Sequence, residues 1–442
     1  MHRHRRTTTA LAALASLALP ASLASTAAAL PDDPGSEGLA PAHVSALVVE
    51  AARQAEQQVA AERGAGPAAA AEGRTEPQPA PAPTDKQLRR ALDAAAEGLV
   101  ADGAVGVTAR VESPGFDWRG SAGSRQVDHR PPAQPQDRFR VASITKTMVA
   151  TVVLQEVEAG TFALDTPVNE VVPGMFPGRD GVTVEDLLSH RSGAQTATDW
   201  LLLSRIEDPT SWEDLLSAMG QDYTDADHLA VVNALPWLFE PGTGFSYSNA
   251  GYVALGVLLQ QVTGQPLDAL LRERVFRPAG LQHTSYPEEP GTRGPFLVDA
   301  AYTGPGEAGG LGWVSLDGFD PDVFKAAGAV VSTTKDLNAF TEALVTGDLL
   351  QPGTLTDMLA PRTVGDPLMP DYGLGVYRLP DPCTGEWLYG HDGGTYGTVS
   401  IALTSPDGSR QVSLGISGRD LTQPLPAYDL AELLVPMMLA TC

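Results

Sequence analysis

Behind Ser143 the chain reads ITKTMVATVVLQEVEAG, a stretch that is apolar on nearly every side when wound as a helix. Such a helix cannot lie on a surface; it has to be surrounded, which demands a layered fold with other elements packed around it. Ser143 and Lys146 stand three residues apart at its start and so share one face. Lysine is scarce here, with only Lys86, Lys146, Lys325 and Lys335 among 442 residues, so few serine–lysine pairs at this spacing arise by chance. One other exists, Ser332 and Lys335 in VSTTKDLNAF. There Thr333 and Asp336 have capping-box spacing and Asp336 adjoins the lysine, so helix capping explains that pair. Around Lys146 stand Ile, Thr, Met and Val. A lysine desolvated by such neighbours sheds its proton and can accept one from the serine hydroxyl, which makes a nucleophile without histidine. The free N–H groups and positive dipole end of the helix start lie where an oxyanion would form.

The rest of the chain sets the context. Residues 1–29 join a basic start, a short apolar run and an A-x-A-like exit, which reads as a secretory signal peptide. Residues 30–84 are dominated by Ala, Pro, Glu, Gln and Gly; they read as a disordered Ala/Pro-rich spacer with at most a marginal helix in VVEAARQAEQQVAAERG. The folded region is expected over 85–442. It opens with the amphipathic KQLRRALDAAAEGLVADG and the strand pair VGVTARV and FDWRGSAG. It closes with the strands EWLYGHDGG, TVSIALTS and RQVSLGIS and the helix AYDLAELLVPMMLA, while helical patterns fill about 165–310. The expected architecture is α+β: an antiparallel sheet built from both ends of the chain, flanked by helices, with a helical subdomain inserted. A net charge of −25 argues against nucleic acid and anionic lipid as partners and favours a small-molecule or peptide substrate. Cys383 and Cys442 are the only cysteines and are expected to pair in the oxidising environment that export implies. No other segment is long and apolar enough to span a bilayer, so a secreted, extracellular protein is expected; a monomer is the expected oligomeric state.

Two further motifs accompany Ser143 and Lys146. FEPGTGFSYSNAGYVALG places Tyr247 and Asn249 on a loop that runs into an apolar helix, and YGHDGGTYG places His391, Asp392, Gly393 and Gly394 on a strand. Tyrosine offers a proton relay, asparagine a hydrogen bond to a substrate amide, and glycine a close approach to backbone. Ser143-x-x-Lys146, Tyr247-x-Asn249 104 residues later and His391-x-Gly393 a further 144 residues on resemble the penicillin-recognising serine hydrolases. That family includes class C β-lactamases, secreted D-alanyl-D-alanine carboxypeptidases and related esterases and D-aminopeptidases. VEDLLSHRSG and AAGAVVSTTKDLNAF are lesser points of similarity, and the likeness covers about 85–442.

The resemblance implies a β-lactamase/DD-peptidase-like fold and an acyl-enzyme on Ser143, with Lys146 acting as base together with Tyr247, which also protonates the leaving group. It implies that Asn249 holds the substrate amide, that the N–H groups of Ser143 and Gly394 form the oxyanion hole, and that Arg378 binds a terminal carboxylate. No cofactor and no metal are implied. The sequence departs from the family where Asp392 stands in place of threonine and Gly394 in place of a hydroxyl residue, which removes two carboxylate ligands and adds a negative charge. A D-alanyl-D-alanine carboxypeptidase-like activity on peptidoglycan peptides, with β-lactam binding, is the first expectation. An esterase, amidase or D-aminopeptidase on the same scaffold, or a non-catalytic cell-wall-binding module, are the alternatives.

Overall fold

A computed structural model describes residues 42–64, 83–127, 131–291, 294–305, 310–363, 371–423 and 426–442. The proposed signal peptide and residues 30–41 and 65–82 of the proposed spacer lie outside the described residues. The centre of the fold is a seven-stranded sheet of β1 (Gly106–Ser113), β2 (Phe116–Gly123), β3 (Asp371–Tyr372), β4 (Tyr377–Pro380), β5 (Trp387–Gly394), β6 (Thr398–Thr404) and β7 (Gln411–Ser417). Its order is β2-β1-β7-β6-β5-β4-β3 and all its pairings are antiparallel. The sheet is therefore built from both ends of the chain, as the strand pattern predicts, and the helices between β2 and β3, among them α4 (Val184–Leu188) and α6 (Thr334–Val345), form the insert.

The two faces of the sheet are chemically different. In β6, Val399, Ile401 and Leu403 point to one side, where α2 (Asp85–Ala101) and the C-terminal α7 (Ala431–Leu439) cover them. Small residues alternate with them on the other side. Ser400 donates to the Val141 carbonyl at 2.8 Å, Ala402 joins the second core, and at Gly415 of β7 an added Cβ would meet the Phe139 ring at 2.7 Å. Those short side chains let α3 (Ile144–Glu158) lie close against the sheet. On its other sides α3 meets α5 (Asn249–Thr263) and residues 267–276, so it is enclosed as its apolar sequence requires. Ile144, Met148, Val149, Val152, Val153 and Leu154 are at most 1% exposed, each worth about 1.5–3 kcal/mol of burial.

One expectation needs correction. Residues 42–64, assigned above to a disordered spacer, form a 23-residue helix, α1, that packs on α7 and on β4 and β5. Val48, Ala51, Ala52 and Ala55 fall at i, i+3, i+4 and i+7 and are at most 1% exposed. The stripe is made mostly of alanine, so composition weighs it lightly, yet small side chains suit close helix–helix approach. No helix among the described residues is long and apolar enough to cross a membrane.

Candidate active site

Ser143 caps α3 in helical conformation and presents its hydroxyl without using it as a capping group. The residue before it, Ala142, has φ 46°, a left-handed value that costs a non-glycine residue energy. Only three other non-glycine residues among those described share that region: His190, Ala197 and Lys325. All of them border the same spot. Ala197 precedes Thr198, which accepts from Asn249; Lys325 lies two residues before Ala327, whose carbonyl accepts from Lys146; His190 stacks on Tyr247. Backbone strain is thus concentrated around Ser143.

Lys146 is fully buried, and burial drives its pKa well below the ordinary lysine value, with Asp392 opposing the shift. Its Nζ has three neighbours: the Asn249 Oδ1 at 2.8 Å, the Ala327 carbonyl at 2.8 Å and the Ser143 Oγ at 3.0 Å. Two of these can only accept. Asn249 is fixed in that sense because its Nδ2 donates to Thr198 Oγ1 at 2.9 Å. A neutral lysine therefore spends both N–H groups on Asn249 and Ala327, and its lone pair is left facing the Ser143 hydroxyl. The Tyr247 ring stands 4.8 Å from Nζ, and its Oη is buried without a hydrogen-bond partner. Burial raises the Tyr247 pKa well above that of a free phenol, with the nearby Ser143 hydroxyl opposing, so the ring is a proton donor at rest.

The third motif closes the other side. At Gly393 an added Cβ would strike the Val141 carbonyl at 2.4 Å and Ser400 Oγ at 2.6 Å, so glycine is required to seat β5 against the segment entering α3. Gly394 ends the strand opposite Val399. His391 is 2% exposed; burial pushes its pKa down to about 3, and it is neutral. Its Nε2 pairs with Tyr372 Oη at 3.0 Å and its Nδ1 with the Asp392 carbonyl. Asp392 is 1% exposed, and burial raises its carboxyl to about 6 although Ser45 Oγ of α1 donates to it at 2.8 Å.

Arg378 does not join this cluster. Its Nε and Nη2 donate to Asp371 Oδ2 at 3.0 and 2.8 Å, and its guanidinium stacks on Trp387 at 4.0 Å. The carboxylate-binding role expected of Arg378 thus falls on a side chain that Asp371 and Trp387 already engage. The rival pair behaves as capping predicts: Thr333 accepts from Asp336 N–H, Ser332 is buried against Thr284, and Lys335 is exposed. Sequence reasoning missed Ala327, Thr198, Tyr372 and Ser45. The first acts through its backbone, which has no sequence signature. AAGAVVSTTKDLNAF and VEDLLSHRSG did flag the neighbourhoods of Ala327 and His190. Cys383 and Cys442 are bridged.

With this geometry in view, comparison with known proteins is decisive at the level of family: the β-lactamase family model matches residues 56–410. The chain belongs to the β-lactamase family, a family of serine hydrolases. Penicillin-binding protein 4* of Bacillus subtilis is 27% identical over 64% of this chain and 61% of its own length. Esterase EstB of Burkholderia gladioli is 35% identical over 42% of this chain and 47% of its own length. The chain thus spans about half to three fifths of these curated relatives. Among solved structures, a D-stereospecific amidohydrolase from Streptomyces is 30% identical with TM-score 0.65, covering 74% of this chain and 94% of its own. The D-amino acid amidase of Ochrobactrum anthropi is 25% identical with TM-score 0.66, over 80% and 98% of the two chains.

Proposed function

We propose that this member of the β-lactamase family forms an acyl-enzyme on Ser143 and hydrolyses amides or esters whose leaving group carries no carboxylate. The observation that carries the catalytic part is the set of contacts around Lys146: two obligate acceptors consume its N–H groups and turn its lone pair on Ser143 Oγ. Lys146 takes the hydroxyl proton as Oγ bonds to the substrate carbonyl carbon, and the oxyanion that develops is met by the N–H groups of Ser143 and Gly394. As the tetrahedral adduct collapses, the C–N or C–O bond breaks and Tyr247 Oη–H protonates the departing atom. Tyr247 then regains its proton from Lys146. Water repeats the sequence in reverse to free Ser143. General acid–base transfer of this kind supplies about 10²–10⁴ of rate.

The substrate part rests on charge. Among the described residues beside Ser143, His391 is neutral with both ring nitrogens engaged; Arg378, outside the cluster, is paired with Asp371, and the Asp392 carboxyl is turned to Ser45 of α1. Nothing there complements the terminal carboxylate of a D-Ala-D-Ala peptide or of penicillin. The likeness to a D-stereospecific amidohydrolase and a D-amino acid amidase supports trying D-amino acid amides first.

The test compares kcat/KM for a D-amino acid amide, a p-nitrophenyl ester and a D-Ala-D-Ala peptide, alongside labelling by a fluorophosphonate. The adduct is expected on the peptide containing Ser143, and Lys146→Arg, which cannot shed its proton, is expected to lower acylation by roughly 10³ or more with the fold intact by circular dichroism. An adduct on Ser332, or none at all, overturns the nucleophile. A peptide turned over faster than the amide restores the carboxypeptidase reading.

A further inference from the structure

Behind the reacting groups lies a hydrogen-bonded chain whose directions are fixed at both ends by backbone. The Ser248 N–H can only donate, and it meets His190 Nδ1 at 3.0 Å, so that nitrogen accepts. His190 is fully buried with its pKa driven well below the ordinary value by burial and by Lys146, so it is neutral and its proton sits on Nε2. Nε2 lies 3.2 Å from Tyr372 Oη and donates to it. At the far end the Asp392 carbonyl can only accept, so His391 Nδ1 carries the proton and His391 Nε2 does not. Tyr372 Oη, 3.0 Å from that Nε2, must therefore donate to it. One phenol thus accepts from one histidine and donates to the other, and the two rings it joins flank the catalytic tyrosine. His190 packs on the Tyr247 ring at 4.1 Å between centroids, and His391 stands 6.3 Å from it.

We infer that Tyr372 is a positioning residue of the hydrolytic site: it donates to the unprotonated Nε2 of His391, fixing that ring's orientation, and, through His190, fixes the surface against which Tyr247 rests. Tyr372 is fully buried on the two-residue strand β3 at the far edge of the sheet, 229 residues beyond Ser143 in sequence. The groups facing His391 are Lys146, which opposes a positive charge on it, the Asp392 carboxyl and carbonyl, and the rings of Tyr247, Tyr372 and Tyr377. Of these, the Tyr372 hydroxyl bonds to the neutral form and disfavours the charged one. Removing it leaves Nε2 without its donor, so the ring is easier to protonate and is no longer held in the orientation that flanks Tyr247.

The inference rests on the proposed hydrolase for its effect on turnover, whereas the protonation of His391 is measured independently of any substrate. In Tyr372→Phe, with protein labelled at histidine with nitrogen-15, the His391 titration is expected to move up by about one pH unit or more. Turnover of a substrate of the wild-type enzyme is expected to show kcat lower by roughly tenfold and KM changed by less than about threefold. His190→Asn, which suits the left-handed backbone at that position and keeps an acceptor for Ser248 but cannot reach Tyr372, should shift the His391 titration in the same direction by less. It decides the matter alone should Tyr372→Phe fail to fold. An unmoved His391 titration, whatever happens to stability or rate, reduces Tyr372 to packing and overturns the inference.

Discussion

Asp392 shows how a single residue can be held against its preferred ionisation. Its folded pKa, raised by burial to about 6, lies above the unfolded value near 4, so the fold favours the protonated form. The contribution is fully present below about pH 4 and is lost as pH rises through about 6; above that the buried carboxylate costs up to about 3 kcal/mol. Asparagine imitates the protonated acid and can still accept from Ser45 Oγ. Asp392→Asn is therefore expected to raise the unfolding free energy at pH 8 by up to about 3 kcal/mol and to leave it unchanged at pH 4, as read by urea titration at the two pH values. An equal change at both would show that the carboxyl does not titrate differently in the folded state. Ser143, Lys146, Tyr247 and Asn249 were legible from sequence because each pair sits close in the chain at a spacing that chemistry demands. The surroundings that neutralise His391 and occupy Arg378 were not, since they depend on partners such as Tyr372 and Asp371, whose proximity only the sheet edge creates.

Among the elements, α1 is where composition and packing disagree most. A run rich in Ala, Glu and Gln looks like a linker, but its narrow stripe of Val48, Ala51, Ala52 and Ala55 is buried against α7, and its Ser45 reaches the third motif. The signal was present at a period of 3.6 and was outweighed by proline and alanine on either side. The catalytic helix α3, by contrast, declares itself through its length and apolarity, and the antiparallel sheet through the alternation of its strands. A docked helix makes a specific demand: Ala52→Glu places a charge in a contact that is 1% exposed, which costs about 2–4 kcal/mol or undocks the helix. The expected outcome is a lower Tm and new tryptic cleavage at the exposed Arg53, a bond the wild-type protein protects through helical structure. If the Tm is unchanged and wild-type protein is already cut there, the segment behaves as a spacer after all.

At the scale of the whole molecule, both ends of the described chain converge on one corner of the sheet. Cys383, in the turn between β4 and β5, is bridged to Cys442 at the end of the chain, 59 residues away, and the same turn is anchored by the buried Asp381 paired with Arg410. α7 thereby carries α1 on one flank and is tied covalently to the hairpin whose second strand bears His391 and Gly393. In the chain-entropy picture, closing a loop of this length stabilises the fold by about 4 kcal/mol through its effect on the unfolded chain. For a protein of this size that corresponds to roughly 8 °C in Tm, at about 2 °C per kcal/mol. Cys383→Ser with Cys442→Ser is expected to show that loss, while labelling of Ser143 at 25 °C persists, because α3 lies on the opposite face of the sheet and its enclosure does not involve α7. Native wild-type protein should titrate no thiols until it is reduced. Two reactive thiols in the unreduced protein, or a double variant as stable as wild type, would mean that the corner is held by packing of α1 and α7 alone.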